Sequence, residues 1–348
     1  MLSGESMMTN VDSVSSGTSS SGTSTAGPPP PFGAELAAAL RVINETTPPD
    51  GLRPETISAT RLKMADMGSP SDEALARGGA FAVEDRTVPG PAGAPDISLL
   101  ICRPAAATTR TSAIYHIHGG GMVVGDCRTG LPGMLDWAEE LQAAVVSVEY
   151  RLAPETPHPG PVEDCYAGLV WCAAHARELG IDPERIVLVG ASAGGGLAAA
   201  VALVARDRGG PAVLGQLLMC PMLDDRNDTP SAVQMAGLGV WDRTSNETGW
   251  NALLGDARGT DRVSPYAAPA RATDLSGLPP AFIDVGSAET FRDEDVAYAS
   301  RIWQAGGSAE LHVWPGGFHG FAGMAPRAAV SRDAQAAPLR WLRRLLST

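Results

Sequence analysis

The chain has 348 residues, 39 acidic against 26 basic side chains for a formal charge of −13, and 44% hydrophobic content. That suffices for one large domain, and so acidic a surface repels nucleic-acid phosphates and anionic lipid headgroups, which favours an uncharged small molecule as partner. Lys63 is the one lysine, so a P-loop lysine or a pyridoxal Schiff base has almost no candidate.

At the N-terminus, Met1 to Asn10 carry neither a basic leader nor an apolar signal-peptide run, and no later stretch approaches the ~20 apolar residues of a membrane span. The five cysteines, Cys102, Cys127, Cys165, Cys172 and Cys220, include no C-x-x-C pair. A reduced, soluble, cytoplasmic protein is expected. Residues 9–31 are rich in Ser, Thr and Gly and end in four prolines. This composition cannot repay its ordering entropy, so residues 1–31 are expected to be a disordered extension.

Helical spacing begins after Phe32 in AELAAALRVI and resumes, past a Pro-Pro break, over residues 55–67. These are candidate cap helices within residues 32–80. After Arg77-Gly-Gly, short β-branched runs alternate with longer helical stretches. Strands are predicted at 97–103, 112–116, 144–149, 186–189, 214–219, 281–285 and 310–314, and helices near 162–179, 193–206, 293–304 and 328–346. The alternation predicts an α/β fold, a mostly parallel sheet of about eight strands covered by helices on both faces. Its core would run over 81–223 and 263–348, with the chemistry at the carboxyl ends of the strands. Residues 224–262 break the pattern. They are polar, carry Trp241 and Trp250, and read as a cap insertion over the active face.

Three motifs carry the chemistry. The run from Ile186 enters G-x-S-x-G at Gly190, Ser192 and Gly194 and then an alanine-rich helix. This strand, tight turn and helix are the setting of a nucleophile elbow, and the helix N-terminus favours developing negative charge. The alternative is a serine that only caps the helix. Upstream, His118-Gly119-Gly120-Gly121 follows a strand. Its backbone amides can meet a tetrahedral oxyanion, with the amide of Ala193 as a third donor. His118 braces that loop, and His116 is expected in the core. Last, His319 lies on a glycine-rich loop past the final strand, where an imidazole can reach Ser192. His312 within the strand, His158 and His175 have no companion nucleophile.

The base needs an orienting carboxylate, expected from the loop after the preceding strand. Asp284, Glu289, Asp293, Glu294 and Asp295 are the candidates. Asp284 is still in the strand, and the last three enter a helix whose first turn welcomes acids in any case. Glu289, in the loop itself, is the choice. The sequence contains no evident metal-ligand cluster, so neither a metal nor a cofactor is expected.

With HGGG at His118–Gly121, EYRLAPE at Glu149–Glu155, GASAGG at Gly190–Gly195, ETFRDE at Glu289–Glu294 and FHGF at Phe318–Phe321, the chain resembles the hormone-sensitive-lipase-like (bacterial family IV) esterases of the α/β-hydrolase fold. The resemblance runs from about Ile97 to the C-terminus. It implies that the first acid of the ETFRDE-like motif is the triad acid, that N-terminal helices cap the site, and that homodimers are common. Ala191, Glu149 and Glu289 depart from the family's commoner Asp or Thr, Asp and Asp. The resemblance implies a serine carboxylesterase for short- to medium-acyl small-molecule esters, with Gly121, Trp241 and Phe318 as candidate substrate contacts. An amide, lactone or deacetylating hydrolase with the same triad, or a non-catalytic small-molecule binder on this scaffold, is the alternative.

Overall fold

The structure, a computed structural model, describes residues 26–46 and 51–347. The disordered extension expected over 1–31 therefore falls outside the described residues up to residue 25. From Ala26 the chain runs without regular structure, and the side-chain amide of Gln234 donates to the carbonyls of Gly27 and Pro28.

Eight strands form one sheet: β1 (Phe81–Val88), β2 (Ile97–Pro104), β3 (Thr111–Ile117), β4 (Ala144–Glu149), β5 (Ile181–Ala191), β6 (Gly215–Met219), β7 (Ala281–Gly286) and β8 (Ala309–Trp314). Their order is β1-β2-β4-β3-β5-β6-β7-β8. The first two pairings, β1 with β2 and β2 with β4, are antiparallel, and the rest are parallel. The central strands are near-continuous apolar runs because helices bury both of their faces. All seven predicted strands are present. The eighth, β1, carries the sequence FAVEDRTV and is partly exposed as the antiparallel edge, so it lacks the apolar run that marks its neighbours.

The helices are α1 (Ala34–Thr46), α2 (Ile57–Met67), α3 (Asp72–Ala76), α4 (Leu131–Leu141), α5 (Gly160–Ala174), α6 (Ala176–Leu179), α7 (Ala193–Arg208), α8 (Pro230–Gln234), α9 (Arg243–Leu254), α10 (Arg292–Gln304), α11 (Phe321–Met324) and α12 (Ala329–Leu346). Helix α4 opens LPG, which reads as a loop although proline in a first helical turn is well tolerated. The single predicted segment 162–179 is two helices, α5 and α6, meeting at His175.

Helix α7 is buried on all sides from Ala193 to Ala205. Small side chains let it approach closely: a Cβ on Gly194 would lie 2.0 Å from the carbonyl oxygen of Ile117 in β3. Helix α1 lays Leu36 and Leu40 on Phe318, Phe321 and Ala325 beyond β8. Helix α2 is tied to the loops after β3 and β4 by Arg61, which donates to the carbonyls of Val123 (2.7 Å) and Ala153 (2.8 Å) and pairs with Glu155. Lys63, on the same helix, is exposed. Residues 224–262 hold α8 and α9, whose first turns are capped by Thr229 and Asp242. Trp250 of this segment is fully buried in the main core. Among the described residues no helix is long and apolar enough to cross a membrane.

Candidate active site

Strand β5 turns into α7 at Ser192, whose φ of 57° and ψ of −125° lie far from ordinary helix or strand geometry. The turn is held on both sides: the Ser192 amide donates to Met219 in β6, and its carbonyl accepts from Gly196 and Met222. Glycine is required at Gly190, where a Cβ would sit 2.2 Å from the Gly194 carbonyl oxygen. The loop after β8 brings His319 to this point. Its Nε2 is 2.9 Å from Ser192 Oγ, and its Nδ1 is 2.5 Å from Glu289 Oε1. Since the carboxylate can only accept, Nδ1 is the donor, and Nε2 faces the hydroxyl. Glu289 Oε2 accepts the Gly286 amide at 3.0 Å. Phe291 meets the imidazole edge-on, with ring centroids 5.2 Å apart. All three polar side chains are buried.

The five acids weighed for this place separate cleanly. Asp293 takes the Ser231 amide and the Arg292 guanidinium. Glu294 takes the amides of Leu223 and Asp224, and Asp284 takes the Trp314 indole N–H. Asp295 is fully buried, and its carboxyl makes no hydrogen bond among the described residues. Glu289 alone of the five meets His319.

The HGGG loop lies against the elbow: a Cβ on Gly119 would be 2.8 Å from the Ala191 carbonyl oxygen and 3.4 Å from Ser192 Cβ. The amides of Gly119, Gly120 and Ala193 find no acceptor among the described residues. His118 is fully buried, hydrogen-bonded through Nδ1 to the Gly119 carbonyl and stacked on Tyr150 at 4.2 Å. Burial lowers its pKa to about 4, against which the Gly119 bond works. It thus acts as a neutral brace. Tyr150 adds a bond from its hydroxyl to the His118 carbonyl. His116 is a core residue on Ser147, its pKa lowered by burial to about 3.

Of the expected substrate contacts, Gly121 and Trp241 meet near the site. A Cβ on Gly121 would lie 2.3 Å from Trp241 Cη2, and the Trp241 and His319 rings are 6.3 Å apart. Phe318 does not join them. It is completely buried, edge-on to Phe32, and packs beneath α1, so it is part of the seam between that helix and the loop after β8. Cys220 had no signal in the sequence, yet its sulfur, a Glu289 oxygen and a His319 nitrogen lie within 4.8 Å of one another. Both nitrogens of His319 are already engaged by Ser192 and Glu289, and burial with nearby carboxylates drives the Cys220 thiol pKa well up. The set is thus a poor metal cradle.

The sheet order and this elbow define an α/β hydrolase. Comparison with known proteins agrees. Residues 114–323 match a family described as alpha/beta hydrolase fold. Carboxylesterase NlhH of Mycobacterium tuberculosis is 33% identical over 314 residues, 90% of this chain and 97% of that one. Human hormone-sensitive lipase is 45% identical over 101 residues, 29% of this chain and 9% of that one. Among solved structures, Bacterial Heroin Esterase has a TM-score of 0.82 at 40% identity, covering 90% of this chain and 98% of that one. The chain belongs to the hormone-sensitive-lipase-like family of α/β hydrolases.

Proposed function

We propose that this protein is a serine carboxylesterase acting on short- to medium-acyl esters of small molecules, with Ser192 as nucleophile, His319 as general base and Glu289 as the orienting acid. The observation that carries the reading is the unbroken line of hydrogen bonds from Ser192 Oγ through both nitrogens of His319 to Glu289. As Ser192 attacks the ester carbonyl, His319 takes its proton and Glu289 stabilises the imidazolium. The amides of Gly119, Gly120 and Ala193 receive the oxyanion, each contributing on the order of 3 kcal/mol to the transition state. His319 then protonates the departing alcohol, and water, activated by the same ring, releases the acid from the acyl-enzyme.

Helices α1 and α2, with the segment carrying α8 and α9, form the cap in this reading, and Trp241 is its contact with substrate. Ester cleavage is favoured over amide or lactone cleavage by the relatives, named carboxylesterase and esterase. The test is hydrolysis of p-nitrophenyl esters from acetyl to palmitoyl by the wild type and Ser192→Ala. Turnover should peak at short or medium chains and vanish in the variant. No turnover of any ester by the wild type overturns the proposal.

A further inference from the structure

One open pocket is lined neither by Ser192 nor by the residues whose amides receive the oxyanion. A pocket of about 670 Å³ lies behind Glu289, walled by α4, α12 and the ends of β6 and β7. Its volume suits a small organic ligand. Ser192, Gly119 and Trp241 do not line it, and its walls are largely apolar, with Met134, Trp137, Phe321 and Leu339 prominent.

At its inner end stands Asp284, more than nine-tenths buried. Trp314 donates to Oδ2 at 2.9 Å, whereas no side chain among the described residues hydrogen-bonds to Oδ1. No cation answers this carboxyl. His312, beside it in register on β8, is bonded to Glu310. Glu289 is held by His319 and Gly286, and burial pushes the pKa of the Asp295 carboxyl on α10 well up. Cys220 is a neutral thiol. Around the mouth, Asp136 pairs with Arg77 and Glu140 with Arg343, while Arg332 on α12 donates to the Arg327 carbonyl. Burial raises the Asp284 pKa to about 7, opposed by the Trp314 bond and the Cys220 backbone amide and reinforced by Glu289. A buried carboxyl with one oxygen that no side chain donates to, in a largely apolar pocket, lacks one thing, a positive hydrogen-bond donor.

We propose that this pocket binds a hydrophobic primary amine, its ammonium on Asp284 Oδ1 and its apolar body along Met134, Trp137 and Phe321. The acids at its inner end disfavour carboxylate ligands. An uncharged alcohol of the same shape forfeits the ion pair.

Isothermal titration of the full chain with phenethylamine and with phenethyl alcohol tests this. The amine should bind about tenfold more tightly than the alcohol. Asp284→Asn, which keeps the acceptor for Trp314, should remove that preference. Gly133→Phe should block both ligands, because a Cβ at Gly133, which lines the pocket, meets no atom within 4 Å and a larger side chain can grow into the space. Thermal melts verify that both variants fold. Equal affinity for amine and alcohol, an undiminished preference in Asp284→Asn, or full binding by Gly133→Phe overturns the proposal. So does a KM for p-nitrophenyl acetate that climbs with amine concentration, which puts the amine in front of Ser192. The titrations need no hydrolysis, so they stand whether or not the esterase reading survives.

Discussion

The indole of Trp241 lies across Gly121 so closely that even a methyl group there would meet ring carbons at 2.3 and 2.8 Å. The last glycine of the HGGG loop thereby sets where this ring can sit, and the ring flanks His319. Gly121→Ala must push the indole aside and also strains a φ of 60°. A drop in kcat/KM on the order of 10²-fold is expected for the preferred p-nitrophenyl ester. Gly133→Ala, in open space on α4, should leave it unchanged.

Glu289 and Asp293 stand four residues apart and have different partners. Glu289→Gln keeps the side-chain shape but removes the charge and replaces one of the two accepting oxygens with an NH2 donor, so Nδ1 of His319 and the Gly286 amide cannot both be accepted. Its kcat should fall by ~10⁴-fold with little change in KM. Asp293→Asn, which disturbs only Ser231 and Arg292, should stay within a few-fold of wild type by the same assay. The reverse ranking would move the acid assignment.

Ser192 holds a positive φ that a β-carbon strains. Ser192→Gly and Ser192→Ala lose the same hydroxyl, so their difference reads that strain. The glycine variant should be the more stable of the two by about 1 kcal/mol, after the flexibility that glycine adds to the unfolded chain, in urea titrations.

Asp284 has a folded pKa near 7 against 3.8 for the free side chain. The folded state therefore holds a proton that the unfolded chain releases, and stability falls as pH rises from about 4 to 7. Above pH 7 the cost reaches up to about 4 kcal/mol. Asp284→Asn should be more stable than wild type at pH 8, with the gain gone near pH 4, as measured by unfolding in urea.

His116 works in the opposite sense over the same window. Its pKa drops from 6.5 to about 3 on folding, so its contribution is intact above pH 6.5 and is lost as pH falls. At pH 5 the loss is about 2 kcal/mol. His116→Gln should remove that part of the decline between pH 7 and 5. An identical decline in variant and wild type would show that His116 takes up no proton on unfolding.

How much of this was legible in the residues depends on how local each signal is. Ser192 and His319 announce themselves because elbow and loop glycines are obligatory within a few residues of them. Glu289 could be picked from its loop position, but its partner is fixed only when β7 and β8 pair. Strand β1 and helix α4 were hidden, one by the polar residues of a sheet edge and the other by a proline and glycine in its first turn. Phe318 lies beside His319 in sequence yet faces α1, a direction that no motif encodes. Cys220 and the pocket behind Glu289 arise from segments distant along the chain, and Asp284, weighed only as a triad acid, proves to face that pocket.

The scarcity of lysine has a practical outcome. An amine-reactive dye has one side chain to find, Lys63, exposed on α2, besides the chain's α-amino group. A fluorophore placed there would ride on the helix that Arg61 fastens to the loops after β3 and β4, leaving every other cationic side chain, all arginine, untouched.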